Sequence, residues 1–551
     1  MLKWGTKIKN FKSSLRINGW KAEFRRIKNV VKYKKPVPNE YEEWILLNEP
    51  DAKAIEQEKS YKSPLNTKFL VFVEDEKDKN SFEGQTYSNY ETVVSSPNSY
   101  KEIIKTHDSD YCIFVGRDIK PQPFALFAIQ DFIEFNECNV IYSDNDTIEN
   151  EKRINPDFKP HFAYYSLLSK NYIGNFLVVK TKFLKANMDI LENLSNTEAI
   201  YDIALRSTEK TKRIMHIDMV LYHKLKDEID IEEQKKIIAN HLNRMGVQYD
   251  IIQDGEFPGI YKINYTILEQ KKVSIIIPNM DHIDDLKKCV ESIQKSSYKN
   301  YEIVVVENNS KKKETFDYYE ELQKQYKNVK IEKMDIQGFN YSAIVNYGVE
   351  HSDGDYLILL NNDIEIINDD WIEQMIMYVQ REEVGICGAR LYYNDGTIQH
   401  AGVTIGIRGL AGHRYKDANK SDFEKYQEIC CVQNQNAVTA ACFMVKREDY
   451  EKVLGFDEKL AVAFNDVDFC LKIRKERKIV IYNPYVQLYH YESKSRGLDT
   501  ENKEKQERFA REYAIFVKRW RVFLGKRDQY FNINYRLDNE IPKINYNKIG
   551  G

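Results

Sequence analysis

Several polar clusters in the second half of the chain combine residue types that can hold a nucleotide, bind a metal and move a proton. LILLNND at 357–363 delivers Asn361, Asn362 and Asp363 to the exit of an apolar strand. A carboxylate there is a hard oxygen ligand for Mg2+ or Mn2+, and such a metal can bridge to a diphosphate. Taken alone, one Asp at a strand end is equally an ordinary turn or cap. In GFDEKLAVAFNDVDFCLKIR at 455–474, Asp466 and Asp468 stand at the start of a helical pattern. Either can cap that helix, or one can act as a general base; Asp468 reads as the capping or orienting group. LYHYESKSRG at 488–497 ends a strand in His490, which can ligate a metal through its imidazole. Ser493, Lys494, Ser495 and Arg496 then form a cluster suited to diphosphate oxygens. Upstream, KKVSIIIPNMD (271–281) and YEIVVVENNS (301–310) are strands that end in polar residues. Polar ends on adjacent parallel strands mark the ligand crevice of an open α/β sheet. Glu307 is the candidate acceptor for the N3–H of a pyrimidine base.

These residues need strands to carry them, and the pattern supplies strands. From 66 to about 228, and again from 271 to about 491, short β-rich runs alternate with helix-like stretches. Such alternation predicts α/β architecture with a mostly parallel sheet. The two regions read as copies. YSNYETVV (87–94) matches YKNYEIVV (298–305), SDYCIFVGRDI (109–119) matches GDYLILLNNDI (354–364), and VLYH (220–223) matches QLYH (487–490). Three matches in one order point to duplication. The first copy lacks about 34 residues between its second strand and its Asp-bearing strand, Tyr90 to Asp118 against Tyr301 to Asp363. After 491 a charged helical run places Phe509, Tyr513, Phe516, Trp520 and Phe523 on one stripe.

The chain has 551 residues and a formal charge of −3, but residues 1–35 hold 12 Lys or Arg against one acid, Glu23. This excludes a uniformly basic nucleic-acid binder. Leu2, Trp4, Ile8, Phe11, Leu15, Ile17, Trp20, Phe24 and Ile27 alternate with the cations at near-helical spacing. Three readings stand: a solvated charged helix, an amphipathic helix on an anionic membrane surface, or a nucleic-acid contact. No apolar run nears the ~20 residues of a membrane span, and the first residues lack the apolar core of a secretory signal. Eight cysteines without a C-x-x-C pair fit a reducing, cytoplasmic compartment.

Together VSIIIPN, VVVENNS, LLNND, GFDE…FNDVDFCLK and HYESKSRG resemble the family 2 inverting glycosyltransferases of GT-A fold. The nearest likeness is to the bacterial branch of rhamnosyltransferases and O-antigen and capsule synthesis enzymes, whose features QHAGV (399–403), AGH (411–413) and VTAACFMV (438–445) also resemble. The resemblance is strong over 271–500 and weaker over 66–228, where NVIYSDNDTIE, NPDFKPHF and NYIGNFLVVK are similar to the first domain of tandem members.

The resemblance implies two tandem GT-A domains. The expected divisions are 1–60, a basic segment and connector; 61–265, a degenerate copy; 266–500, the catalytic domain; and 501–551, a helical extension. Pro278, Asn279, Glu307 and Asn309 would line the nucleoside pocket. Asp363 and His490 would hold Mg2+ or Mn2+, with Asn361 in place of the first Asp of the family's D-x-D motif. Asp466 would be the base. Asn362, His400, His413, Thr439, Asp468, Ser493, Ser495 and Arg496 fall toward the diphosphate or acceptor. In the first copy Ile200 stands where Asp466 stands and Glu307 has no counterpart, so that copy is expected to be non-catalytic. The implied reaction moves a sugar from a UDP- or dTDP-sugar to a glycan or lipid-linked glycan at the inner face of the cell membrane, docked through residues 1–35. No nucleic acid partner is expected. A nucleotidyltransferase and a non-catalytic glycan-binding scaffold are the alternatives.

Overall fold

The computed structural model describes residues 40–61, 64–226, 228–336, 338–491 and 503–545. The basic segment 1–35 and the cluster Ser493, Lys494, Ser495 and Arg496 lie outside them.

The first region builds a mixed sheet from β1 (Phe69–Val73), β2 (Tyr90–Val94), β3 (Tyr111–Val115), β4 (Ile119–Pro121), β5 (Val140–Glu149), β6 (Lys152–Asp157), β7 (Phe176–Lys180) and β8 (Ile214–Lys224). Its order is β2-β1-β3-β7-β5-β8-β4, with β6 on β5. A hairpin of β9 (Tyr249–Asp254) and β10 (Tyr261–Tyr265) follows. The second region contributes β11 (Val273–Asn279), β12 (Tyr301–Glu307), β13 (Val329–Lys333), β14 (Tyr356–Leu360), β15 (Ile364–Ile366), β16 (Val384–Tyr392), β17 (Ile398–His400), β18 (Val403–Ile405), β19 (Ala411–His413), β20 (Gln433–Gln435), β21 (Cys442–Lys446) and β22 (Ile479–His490). The large sheet runs β13-β12-β11-β14-β21-β16-β22-β15, with β17 on β16 and β20 on β22; β18 and β19 pair separately.

The two orders are the same once β13 is removed, and so are the strand directions. In each copy three strands are parallel (β2-β1-β3 and β12-β11-β14), the next is antiparallel (β7 and β21), and one later pair is parallel again (β5–β8 and β16–β22). Both sheets are thus α/β and Rossmann-like, with the parallel strands grouped in one half. The missing residues of the first copy also take physical form. Between β12 and β14 lie the helix Lys313–Gln325, β13 and the helix Tyr341–Glu350, where the first copy has one α-helix, Tyr100–Thr106. Without a β13 equivalent, β2 is an edge strand. Its residues YETVV are only partly buried, whereas every residue of β12 is buried. The central runs FLVFV, VSIII and YLILL are buried throughout, as strands covered on both faces must be.

The copies meet through the helix Tyr164–Ser169, which docks on β20. Tyr165 N donates to Asn434 Oδ1 at 3.0 Å, Asn434 N to Ser166 Oγ at 3.1 Å and Val432 N to Ser169 Oγ at 3.0 Å. One apolar cluster continues across this boundary, from Tyr165 and Leu167 to Trp371 and Tyr378. All eight cysteines are buried and free. Among the described residues, no helix is long and apolar enough to cross a membrane.

The helix Lys503–Leu524 lays part of its aromatic stripe on the second copy. Phe516 and Trp520 are buried, Phe509 and Phe516 meet the Phe464 ring, and Tyr513 stays exposed. Beyond it, residues 525–545 bridge both copies. Asn532 and Asn534 donate to Asp144 on β5, while Ile405 N donates to Asp528 Oδ2, Arg408 N to Leu537 O and Tyr415 N to Glu540 O.

Trp520 Nε1 and Arg519 both donate to Oδ1 of the buried Asp468 at 2.7 Å. Trp520→Phe keeps the ring contacts and removes one charge-assisted bond. It should cost about 1–3 kcal/mol, seen as a lower thermal midpoint; an unchanged midpoint would show that Arg519 alone secures the helix.

Candidate active site

The exits of β11, β12, β14 and β22 and the start of the helix Asn465–Lys475 supply the expected residues. Pro278 lies past the last β11–β14 pair, Ile276 with Leu359, so its missing N–H breaks no bond on that side. Asn279 is buried and central: its Nδ2 donates to Asp281 O (2.9 Å) and to Tyr319 Oη (2.7 Å), and its Oδ1 accepts from Asn362 Nδ2 (2.6 Å). Asn309, in the left-handed region at φ 65°, donates through Nδ2 to Ile336 O and Gly338 O and ties down that loop.

Glu307 is bonded within its own loop. It is 2% exposed. Its Oε1 accepts from Ser310 N, and its Oε2 accepts from Ser310 Oγ and from Tyr319 Oη, each at 2.6 Å. The carboxylate braces the turn after β12. Tyr319, which joins Glu307 to Asn279, was not picked out by sequence because it sits mid-helix with no motif around it. Burial and the adjacent Glu307 hold its phenol far above the usual range.

Asp363 and His490 come together. β15 pairs antiparallel with β22, and Ile364 faces His490 in that register. His490 Nε2 lies 3.1 Å from Asp363 Oδ1 and 3.2 Å from Asn361 Nδ2. On the other side of the ring, Gln399 Nε2 donates to His490 O at 3.4 Å, which turns Gln399 Oε1 toward Nδ1 at 2.6 Å. His490 Nε2 thus sits beside both the Asp363 carboxylate and the Asn361 amide, on the side of the ring away from Gln399. The hydrogen bond behind the ring is the support that metal-ligating histidines have, so the residues present fit a divalent metal. Gln399 belongs to the QHAGV string but was not singled out.

His400 is fully buried on β17. Its Nε2 accepts from the N–H groups of Gly402 (3.3 Å) and Thr439 (3.5 Å), so Nδ1 carries hydrogen and donates to His413 Nδ1 at 2.9 Å. Burial, then His413 and His490, hold His400 well below the ordinary histidine value of 6.5.

Asp466 is the second residue of its helix, which is entered through Phe464 at φ 64°. Its Oδ1 accepts from Val467 N (2.8 Å), and its Oδ2 from Ala440 N at a long 3.4 Å. Tyr341, another residue the sequence reading passed over, donates to Ala440 O at 3.0 Å, and Asp466 adds to the burial that raises its phenol. Asn361 N donates to Ala441 O at 3.1 Å. Thr439, Ala440 and Ala441 thus touch His400, Asp466 and Asn361 in turn. Asp468 takes no part, since its carboxylate is buried against Arg519 and Trp520.

The same positions in the first copy have other partners. Asp118 pairs with Lys77 at 2.8 Å, and His223 Nδ1 bonds to the buried Asp146. Ile200 is the second residue of the helix Ala199–Lys210, as Asp466 is of its own. By strand register Ser96 stands where Glu307 does.

Residues 274–454 match the model of Glycosyl transferase family 2. The match runs from β11 to just past β21 and stops short of Asp466 and His490. The uncharacterized protein y4gI of Sinorhizobium fredii is 33% identical over 445 residues, 78% of this chain and 48% of that one. The O-antigen biosynthesis protein RfbC of Myxococcus xanthus is 30% identical over 445 residues, 78% of this chain and 34% of its own. The chain therefore spans about half or less of the length of these relatives. Among solved structures, GalNAc-T7 with UDP, GalNAc and Mn2+ is similar at a TM-score of 0.35 and 16% identity, covering 44% of this chain and 47% of that one. The mannosyltransferase PcManGT of Pyrobaculum calidifontis, in complex with GDP-Man and Mn2+, follows at 0.34 and 13%, covering 47% and 70%.

His400 gives a pH signature. Below about 6.5 the unfolded chain takes up a proton that the folded ring cannot, so stability is intact above 6.5 and falls as the pH drops under it. Denaturation midpoints from pH 7 to 5 should fall, and His400→Gln should reduce the slope by up to about 1.4 kcal/mol per pH unit. An equal slope in the variant would show that His400 takes up a proton in the folded state.

Proposed function

We propose that the chain, whose residues 274–454 carry the glycosyl transferase family 2 signature, moves a sugar from a nucleoside-diphosphate sugar to an acceptor hydroxyl with inversion at the anomeric carbon. One observation carries this reading: the segment Thr439–Ala441 holds Asp466 through Ala440 N and Asn361 through Ala441 O. The candidate base and the polar exit of β14 are therefore fixed by a single piece of backbone.

In this mechanism Asp466 takes the proton of the acceptor hydroxyl. The hydroxyl oxygen forms its bond to the anomeric carbon as the bond to the diphosphate oxygen breaks on the opposite face, and nucleoside diphosphate departs. The long Ala440 bond leaves Asp466 Oδ2 weakly committed and able to accept a proton. Asn279, Asn309 and Pro278 shape the nucleoside side, with Glu307 and Tyr319 keeping that loop in place. Asp363 and His490, beside Asn361, would hold Mg2+ or Mn2+, which when bound supplies positive charge to offset the leaving diphosphate. The first copy is proposed to be non-catalytic, on the replacements Ile200 and Ser96 and the diverted Asp118. The O-antigen relative supports a polysaccharide acceptor, and the family likeness supports a UDP- or dTDP-linked donor, rhamnose included.

Two experiments follow. With a panel of UDP- and dTDP-sugars and Mn2+ or Mg2+, the chain should release nucleoside diphosphate, and Asp466→Asn should lower transfer by about 10²–10⁴ with donor affinity nearly unchanged. Pyrophosphate release would make the protein a nucleotidyltransferase, and normal turnover in the variant would remove Asp466 as base. Separately, the segment 1–35 is proposed to dock the enzyme on the anionic inner face of the membrane. Flotation with anionic liposomes should be lost on deleting 1–35; equal flotation would refute the docking role.

A further inference from the structure

The first copy contains a second, unrelated meeting of ligand-type side chains, away from the clusters that the sequence reading used. His161 follows β6, and His216 and Asp218 lie on β8. One potential ligand atom from each falls within 4.8 Å of the others. His161 Nε2 is 3.5 Å from Asp218 Oδ2, and His216 Nδ1 is 3.3 Å from Asp218 Oδ1.

Local structure explains how they converge. His216 and Asp218 are two apart on one strand and so point to one face. The register between β5 and β8 slips there: Ser143 pairs with Ile217 but Asp144 with Val220. The extra residues bulge outward and bring Asp218 into partial exposure beside His161.

The decisive feature is His216. Its side chain is fully buried, and its Nδ1 faces Asp218 Oδ1 at 3.3 Å. Its Nε2 contacts Asp144 Oδ1 at 2.8 Å. Asp144 is itself fully buried and fixed by Lys159 N, Asn532 Nδ2 and Asn534 Nδ2. Asp144 accepts from His216 Nε2 and Asp218 faces Nδ1, so a metal ion bound at Nδ1 would take the place of a proton held between that nitrogen and Asp218. Tyr142 stacks on the ring at 4.8 Å and keeps it from turning. A buried carboxylate behind an imidazole whose other nitrogen looks into a polar gap is the arrangement found behind metal-bound histidines. Two imidazoles and one carboxylate, with His161 on the solvent side, make a three-ligand site. The charges agree, since Asp144 and Asp218 together match one divalent ion.

We propose that His161, His216 and Asp218 form a binding site for a divalent transition metal of the zinc class, distinct from the Asp363–His490 pair. Imidazole nitrogens favour such an ion over Mg2+ or Ca2+. The site would act as a fastener. His161 N donates to Gln529 O at 2.9 Å, and Asp144 holds Asn532 and Asn534, so the ion would join the loop after β6, strand β8 and the C-terminal tail that also grips the second copy.

The test uses the full chain bearing Asp363→Asn, so that the other candidate metal pair is disabled. After chelator treatment the protein is titrated with Zn2+ by calorimetry and with Co2+ by visible absorption, and proteolysis of the tail is followed with and without Zn2+. One equivalent should bind, with Co2+ ligand-field bands and slower cleavage after residue 525. His161→Ala, at an exposed position, and Asp218→Asn should each weaken binding at least about tenfold, the least lost when even a supporting partner of a metal ligand is removed. Failure to bind one equivalent, binding of Mg2+ as tight as Zn2+, or unchanged affinity in both variants would overturn the proposal.

Discussion

Three consecutive peptide units, Thr439 to Ala441, set the geometry of the second copy's cleft. They lead into β21, whose Cys442 pairs with Leu360 at the end of β14. That pairing fixes where Ala441 O meets Asn361 N, and the next units then reach Asp466 and His400. Backbone groups in a buried setting must be paired, so this stretch cannot relax without leaving a polar group unmet. Gly388 on β16 makes the close approach possible. A β-carbon there would come within 2.6 Å of the Val438 side chain. A backbone clamp suits a site that must hold separate groups in register, because it removes the rotamer freedom that side-chain contacts would leave.

The two sheets share one frame, and a segment present only once marks the difference between them. The sheets share their order and strand directions, while the segment carrying β13 and its helices is present once. Where it is missing, β2 becomes an edge and the loop after it reads Ser95 and Ser96. The copies also diverge at the centre of the sheet. Asp144 and Arg390 occupy equivalent positions at the bulge of β5 against β8 and of β16 against β22. Arg390 pairs with Glu256, whereas Asp144 faces His216 and the tail. Opposite charges at one structural position show how far two similar frames can be redirected by their partners.

Much of this was legible in the sequence. Apolar runs such as VSIII and YLILL announced central strands, and the spacing of repeated motifs announced two sheets before any contact was known. Asp363 and His490 were placed together by motif likeness, and the antiparallel β15–β22 register supplies the physical reason. What the sequence hid were partners far along the chain. Glu307 turns inward because Tyr319 arrives from the next helix, and Asp468 faces away from the cleft because Trp520 lies 52 positions later. Gln399 orients His490 across 91 positions. Local pattern reports which face of an element is apolar; it does not report which distant polar group will meet it.

The tail that crosses both copies has a consequence for biosynthesis. Asp144 emerges from the ribosome nearly four hundred residues before Asn532 and Asn534, which complete its hydrogen bonds. Domains form largely in the order they are made. The first sheet therefore assembles with a buried carboxylate still short of two partners, and water or His216 must satisfy it until translation catches up. Until the tail beyond residue 528 is made, the hydrogen bonds from Asn532 and Asn534 to Asp144 are missing from the first copy.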